Sequence, residues 1–345
     1  MKKFLVIRRD NIGDLVCTTP LIHALRERFP DARIDALVNS YNRPVLAGNP
    51  DLDNVYAYTK AKHREDHETV LGVHWRRARL MLELRRLQYD YVILANCGFL
   101  MRPLNLARWV GPQNIVGFVP PGKKVPAINI PVIIDKVARH EVENVFRLLE
   151  PIGITGTPPA LQVRATPEET AAALQALGIT RDEANRSLLV AIHISARKIP
   201  QRWPAERFAM LMRELNEKWN CRFILLWSPG DENNPLHPGD DGKAASIMAA
   251  ISDLPVLAYP TTQLGALIGA LSICKAMVCS DGGAMHVGAG LGLPTLSFFG
   301  NSDASTWYPW GVPREVLQKP RRHVDDISVD DAAEAFSRLK QRAGF

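Results

Sequence analysis

Long hydrophobic runs are missing from this chain. The first apolar stretch, Phe4 to Ile7, follows Lys2 and Lys3 and stops at Arg8, too short for a signal peptide or a spanning helix. Cysteine is sparse as well. Cys17, Cys97, Cys221, Cys274 and Cys279 are odd in number, scattered and without a C-x-x-C pair, so they read as reduced core thiols with no disulfide framework and no metal site. Together these absences lead us to expect a soluble, cytoplasmic protein. Glycine is short where a nicotinamide-binding fold needs it: Arg9 to Asp14 holds one glycine in place of G-x-G-x-x-G, which argues against a dehydrogenase. No recognition helix, RNP-like aromatic motif or basic tail accompanies the pI of 9.1, so nucleic acid is not the expected partner. Short repeats and low-complexity segments are also lacking.

What the chain has is size and an uneven charge. Its 345 residues, 46% of them hydrophobic, exceed the length at which a single core usually divides, so two domains are expected. Residues 1–165 carry 24 Lys+Arg against 16 Asp+Glu, or +8; residues 166–345 carry 18 against 20, or −2, and the two restore the formal +6. The basic half should face an anionic partner, and peripheral contact with a membrane surface fits the same charge.

The pattern alternates strand and helix. In the first half strands are expected at Phe4 to Ile7, Ile34 to Val38, Asn54 to Ala57 and Tyr91 to Ala95, with helices up to Phe29, around Val73 to Leu87 and from about Arg139 to Leu149. Pro20 either restarts the first helix or kinks one begun at Asp14, and the kink is the expectation. Thr155 to Pro159 opens the connection to a second half, where helix Pro167 to Leu177 precedes strands at Leu188 to Ile192, Phe223 to Trp227 and Ala276 to Cys279. Such alternation implies an α/β protein of two doubly wound, mostly parallel sheets, in domains 1–165 and 166–345, closed by an amphipathic helix from Val329.

Two turns carry the chemistry. Phe4 to Ile7 delivers Gly13-Asp14 to a helix start, at the carboxyl edge of a parallel sheet where open α/β folds bind ligands. Asp14 there reads either as a general base or as a helix cap. Downstream, the strand ending Cys279-Ser280 runs into Asp281-Gly282-Gly283, a small-residue helix containing His286, and the strand Thr295 to Phe299. That βαβ unit presents backbone amides at a helix N-terminus, an anion site suited to phosphate; on their own, its glycines read as turn and packing residues.

Fragments spread over nearly the whole chain then carry a resemblance: Gly13-Asp14 with Thr19-Pro20, Phe29-Pro30-Asp31-Ala32-Arg33-Ile34, Gly48-Asn49-Pro50, His140-Glu141 with Asn144, Trp203-Pro204, Asp281-Gly282-Gly283 through His286, and Phe299-Gly300. In order and spacing the chain resembles glycosyltransferase family 9, the bacterial ADP-heptose:lipopolysaccharide heptosyltransferases. The resemblance implies a GT-B fold, two Rossmann-like domains facing across a cleft, an inverting mechanism and no required metal or other cofactor. It implies an ADP-heptose donor and an anionic lipopolysaccharide core acceptor, with another nucleotide sugar or a non-catalytic sugar-nucleotide-binding homologue as the alternatives.

By the same resemblance Asp14 is the base. The donor site is expected from Asp281, Gly282, Gly283 and His286, from Glu232 in the Trp227 to Glu232 turn as a ribose ligand, from Thr262, and from the segment Ser195 to Pro204. Many members carry a diphosphate-binding Lys before a residue preceding Trp-Pro, and here Gln201 stands in its place. Ser195, Arg197, Lys198 and Arg202 are the residues left to meet the phosphates, and the Ala196-Arg197-Lys198-Ile199 spacing leans towards transferases that add a third, branch heptose. Acceptor candidates are basic residues of the first half: Lys60, Lys62, Arg64, Arg76, Arg77, Arg79, Arg102, Arg108, Lys123 and Lys124, clustered cations that attract and orient phosphates and carboxylates.

Overall fold

Residues 1–58, 70–234 and 238–345 are described by the computed structural model, so Lys60, Lys62 and Arg64 lie outside the described residues. In chain order the first half folds as β1 (Lys3–Ile7), α1 (Ile12–Val16), α2 (Thr19–Arg28), β2 (Arg33–Asn39), β3 (Asn54–Tyr58), α3 (Val70–Arg86), β4 (Tyr91–Leu94), α4 (Met101–Val110), β5 (Asn114–Val119), β6 (Ile130–Ile133) and α5 (Glu141–Phe146). The strands form one parallel sheet in the order β3-β2-β1-β4-β5-β6. Central strands of such a sheet are covered on both faces, which is why β1 and β4 read as unbroken apolar runs rather than alternating ones. Phe4 pairs in register with Ile34 on one side and Tyr91 on the other. Leu5, Ile7, Val92 and Leu94 pack with Met81 and Leu84 of α3 and with Leu104 and Ala107 of α4.

The second half runs α6 (Pro167–Leu177), α7 (Arg181–Arg186), β7 (Leu189–His193), α8 (Ala205–Trp219), β8 (Arg222–Trp227), α9 (Asp241–Ala250), β9 (Val256–Pro260), α10 (Leu264–Leu271), β10 (Ala276–Ser280), α11 (Gly283–Gly290), β11 (Thr295–Phe299), α12 (Ala304–Trp307), β12 (Arg314–Gln318) and α13 (Val329–Ala343). Its sheet is parallel too, in the order β12-β11-β10-β7-β8-β9. Trp203 fixes the loop before α8 to this core: it is fully buried, donates from Nε1 to the Ile327 carbonyl at 3.0 Å and meets the rings of Phe208 and Phe298. The Trp203-Pro204 pair is thus an anchor, with Pro204 as the N-cap of α8.

The chain divides into two units, Met1–Pro159 and Ala160–Phe345. The division falls before the 165/166 boundary expected from sequence, because Leu161 and Val163 are buried in the second unit, where the Val163 amide donates to the Gly290 carbonyl at 2.8 Å. Pro20 also departs from expectation. The helix begun before Asp14 ends at Val16, and α2 restarts at Thr19 with Pro20 in its first turn, where a missing N–H leaves no bond unmade. No helix among the described residues is long and apolar enough to cross a membrane.

Strand order reverses between β1 and β4 in the first unit and between β7 and β10 in the second. Crevices open at such reversals, beyond the carboxyl ends of the strands. Asp14 follows β1, Ser195 follows β7 and Asp281 follows β10, so three of the sequence candidates stand at these two points.

Candidate active site

In the first unit the site is built around one buried guanidinium. Arg8 leaves the end of β1, and its Nη2 donates both to Asp14 Oδ1 at 2.7 Å and to Glu141 Oε1 at 2.8 Å. Its Nε lies 3.3 Å from Asp10 Oδ2, and Nη1 donates to the Ala95 carbonyl at the end of β4. Burial alone would disfavour the Arg8 charge, but Glu141, Asp14 and Asp10 outweigh it and hold the guanidinium more firmly protonated than usual. Three carboxylates around one cation leave this cluster with a net charge of about −2 when all are ionised. Burial pushes the Glu141 carboxyl up, opposed by Arg8.

Asp14 takes part in the cap of α1 without being the cap residue itself. Asn11, not Asp14, is the N-cap of α1, and Asp14 is its third-residue partner: Asp14 Oδ2 accepts from the Asn11 amide at 3.0 Å and from Asn11 Nδ2 at 2.9 Å. One carboxylate oxygen is therefore held by the helix start and the other by Arg8, in a side chain that remains 15% exposed. Asp10 is more exposed; it accepts from Asn96 Nδ2, while its backbone carbonyl takes hydrogen bonds from Tyr41 and Asn42.

Beside this cluster, Tyr58 at the end of β3 collects two cations. The guanidinium groups of Arg9 and Arg77 each stand 5.4 Å from its ring centroid, and Arg9 Nε donates to its hydroxyl. Of the other acceptor candidates, Lys123 and Lys124 are exposed in the turn after β5, at the same carboxyl edge. Arg76 and Arg79 are likewise exposed on α3.

In the second unit the turn after β10 is held from two distant segments. Asp281 Oδ2 accepts from Gln201 Nε2 at 2.8 Å and from Ser302 Oγ at 2.5 Å, and Gln201 Nε2 also reaches Ser302 Oγ at 3.1 Å. Burial raises the Asp281 carboxyl, against the Ser302 hydrogen bond and the Lys198 charge. Close approach makes the network possible, because a Cβ at Gly300 would run into the Pro200 carbonyl. Gly282 is exposed and Gly283 begins α11, which leaves their amides at the helix start, while His286 lies buried in that helix with its ring against the Trp307 edge at 5.9 Å.

The segment Ser195 to Gln201 divides by exposure. Gln201 is buried in the Asp281 network, whereas Arg197 and Lys198 are exposed. Arg202 is committed elsewhere: Nε donates to the Ala196 carbonyl at 2.9 Å and Nη2 to Asp240 Oδ1 at 3.1 Å. Ser195 Oγ accepts from the Ser228 amide at 2.8 Å, and Lys243 Nζ donates to the Ile194 carbonyl at 3.0 Å. Glu232 is exposed in the turn after β8, which is closed by Asp241 accepting from the Gly230 amide and from Trp227 Nε1. Thr262 is exposed just before α10; its neighbour Thr261 donates instead to the Trp227 carbonyl.

Sequence reasoning missed Arg8 as the donor that holds Asp14, Glu141 as the second carboxylate on Arg8, and Ser302 as a partner of Asp281. A charged residue ending an apolar strand was the available signal for Arg8; Glu141 stood in the His140-Glu141 fragment without an assigned role, and nothing local marked Ser302. Among the described residues no group of three or more His, Cys, Asp or Glu side chains is placed to hold a metal ion. Chemically, the first unit offers a fixed, partly exposed carboxylate with cations nearby, and the second an amide-lined turn with exposed cations, which suits proton removal and the binding of an anionic leaving group.

Comparison with known proteins follows this geometry. The family model for glycosyltransferase family 9 (heptosyltransferase) matches residues 77–335. Lipopolysaccharide heptosyltransferase 3 of Escherichia coli K12 is 25% identical over 354 residues, covering 95% of each chain. Among solved structures, a glycosyl transferase family 9 protein from Veillonella parvula superposes with a TM-score of 0.82 at 20% identity, covering 99% of this chain and 98% of that one. The E. coli ADP-heptose lps heptosyltransferase II superposes with a TM-score of 0.77 at 20% identity over the full length of both. The two parallel sheets are those of the GT-B fold.

Proposed function

The chain belongs to glycosyltransferase family 9 and is a glycosyltransferase, and on that footing we propose that it moves a heptose from ADP-heptose to the inner core of lipopolysaccharide with inversion at the anomeric carbon. The observation that carries this reading is the Asp14 carboxylate, fixed through one oxygen by Arg8 and through the other by Asn11, at the end of a switch-point strand. In the proposed reaction an acceptor hydroxyl attacks the anomeric carbon as the bond to the diphosphate breaks, and its proton passes to Asp14. The departing ADP carries its charge to the Gly282 and Gly283 amides and the α11 N-terminus, with Lys198 and Arg197 as the exposed cations. That charge balance needs no metal. Gln201 then acts behind the turn, holding Asp281, in place of the phosphate-binding lysine of many relatives.

Arg77 and Arg9 on Tyr58, with Lys123 and Lys124, meet the acceptor's anionic groups, and Glu232 supplies the ribose contact. A third, branch heptose is favoured as the sugar added, on the Ala196-Arg197-Lys198-Ile199 spacing and the similarity to a heptosyltransferase 3. Because that acceptor is membrane-borne, the enzyme works at the cytoplasmic membrane surface. A thermal-shift panel of ADP, UDP, GDP and TDP, followed by transfer from ADP-heptose to a core acceptor with the product anomer read by NMR, tests the proposal. ADP at 100 times its dissociation constant adds about 2.7 kcal/mol to the unit that binds it. A larger shift with UDP or TDP reassigns the donor, and ADP binding without transfer makes the chain a non-catalytic homologue.

A further inference from the structure

Two helices of the first unit carry a surface that this chemistry leaves unused. α3 follows β3 and α4 follows β4, and both cross in the same direction along the sheet, so right-handed crossovers put them side by side on one face. Met81 and Leu84 of α3 and Leu104 and Ala107 of α4 point into the core. Opposite that buried face, Trp75, Arg79, Leu82 and Arg86 recur at helical spacing along α3, all exposed. On α4 the outward residues are Met101, Arg102, Arg108 and Trp109.

Isolated exposed apolar residues are ordinary on protein surfaces. Here they are gathered. Of the eleven large exposed hydrophobic residues among those described, five (Trp75, Leu82, Leu100, Met101 and Trp109) lie on these helices or immediately before α4, with Trp75 at 76% and Trp109 at 65% exposure. The two helices also hold seven arginines, Arg76, Arg77, Arg79, Arg85 and Arg86 on α3 and Arg102 and Arg108 on α4, against Glu83 as their one acid.

We infer that the outward face of α3 and α4 docks on an anionic lipid bilayer, with Trp75 and Trp109 seated at the headgroup level and the arginines on lipid phosphates. Indole rings are apolar with one polar edge and favour that depth, and juxtamembrane cations are drawn to anionic headgroups. A second copy of the chain fits poorly, since a two-fold contact through this face would set Arg79, Arg86, Arg102 and Arg108 of one copy against those of the other. Nucleic acid would satisfy the arginines but leave Leu82 and Met101 against phosphates. No helix among the described residues spans a bilayer, so the contact is peripheral. The inference deepens the proposed function by naming the surface that meets a membrane-borne acceptor, yet its test does not require that function to hold.

The test is sedimentation of the full chain with sucrose-loaded vesicles of phosphatidylcholine, with and without phosphatidylglycerol, at low and physiological salt. Wild-type protein should pellet with the anionic vesicles, less so in salt, and its tryptophan fluorescence should be quenched by bromolipids. Trp75→Ser with Trp109→Ser should abolish that quenching and most of the binding while leaving the melting temperature and the ADP shift unchanged, since both side chains are exposed. Arg79→Ser with Arg86→Ser should weaken partition by about fivefold for each arginine. Failure of the wild type to bind phosphatidylglycerol vesicles, or binding by both double variants equal to wild type, overturns the inference. So does conversion of an oligomer to a monomer by the tryptophan variant in sedimentation velocity, which would make the face a protein interface. Vesicle binding that survives alongside a negative transfer assay refutes the proposed reaction and supports the docking surface.

Discussion

Asp14→Asn separates a base from a cap, because the structure fixes what the amide can and cannot replace. Asp14 Oδ1 accepts from Arg8 Nη2, and Oδ2 accepts from the Asn11 amide and side chain. An asparagine has one oxygen. If it faces Asn11, its NH2 points at the Arg8 guanidinium; if it faces Arg8, the Asn11 amide loses its acceptor. The first arrangement costs less, since Arg8 keeps Glu141, Asp10 and the Ala95 carbonyl and one carboxylate leaves a crowded cluster. We therefore expect a stability loss of about 1 kcal/mol, within the 0.5–2 kcal/mol range of capping losses. Turnover should fall far more, by roughly 100-fold to 10,000-fold, the usual range for a lost general base. Asn11→Ala is the matched control: it removes the side-chain donor to Asp14 and destabilises by a similar amount, yet leaves the carboxylate in place. Both variants are compared by urea denaturation, ADP titration and heptose transfer at saturating donor. Transfer by Asp14→Asn at close to the native rate, or an equal loss in Asn11→Ala, would refute the base assignment and make Asp10 the next residue to change.

Three further outcomes follow from the same geometry. Gln201→Ala leaves the half-buried Asp281 with Ser302 as its remaining side-chain partner, so urea denaturation should show a loss of about 1–3 kcal/mol and calorimetry weaker ADP binding; unchanged ADP affinity would detach this network from the donor turn. His193 is buried at the end of β7, and burial, with the nearby Lys243 charge, brings its imidazole down to about 4 from an ordinary 6.5. Below 6.5 the unfolded chain takes up a proton that the folded one refuses until about 4, so this residue's share of stability is lost as pH falls through that window, by at most about 3 kcal/mol; the urea midpoint of His193→Gln should fall less than that of the wild type between about pH 7 and pH 5, and equal slopes would contradict this. Arg77→Glu should raise the Michaelis constant for a phosphorylated acceptor and leave the ADP thermal shift alone, whereas unaltered acceptor kinetics would reduce Arg77 to a companion of Tyr58.

The readability of this chain follows the range of its interactions. The strand, Gly13-Asp14 and helix lie within a few residues of one another, so the turn and its ambiguity between cap and base were both visible, and the structure shows Asp14 in the capping box of α1. Buried inner strands were legible for the same reason: β1, β4 and β8 each hold a continuous apolar run. The edge strands β9 and β12 are half-exposed; β9 is a four-residue apolar run ending at Pro260, and β12 opens with Arg314 and Glu315, so neither reads plainly as a strand. Pro20 was ambiguous because a proline is tolerated both at a kink and in a first turn, and only the break after Val16 decides it. Glu141 could not have been tied to Asp14 from sequence, since their shared partner Arg8 stands 133 positions before it.

Gln201 shows how a departure from a motif acquires a physical meaning once its partners are known. Its carboxamide donates to Asp281 and Ser302 from a buried position, while the cations of the same loop, Arg197 and Lys198, remain exposed. A lysine at 201 would have to bury an ammonium there, and a buried ammonium is tolerated only with a fully ionised, well-paired carboxylate. Asp281 is a poor counter-ion, because burial already raises it. A neutral donor satisfies the same lone pair without adding charge. Gln201 holds the turn, and Arg197 and Lys198 stand at its exposed edge, where the proposed function has them meet the phosphates. Asp14 shows the opposite solution at the other switch point: there a permanent cation, Arg8, is buried behind the carboxylate and three acids keep it charged, while the Asp14 side chain stays partly exposed.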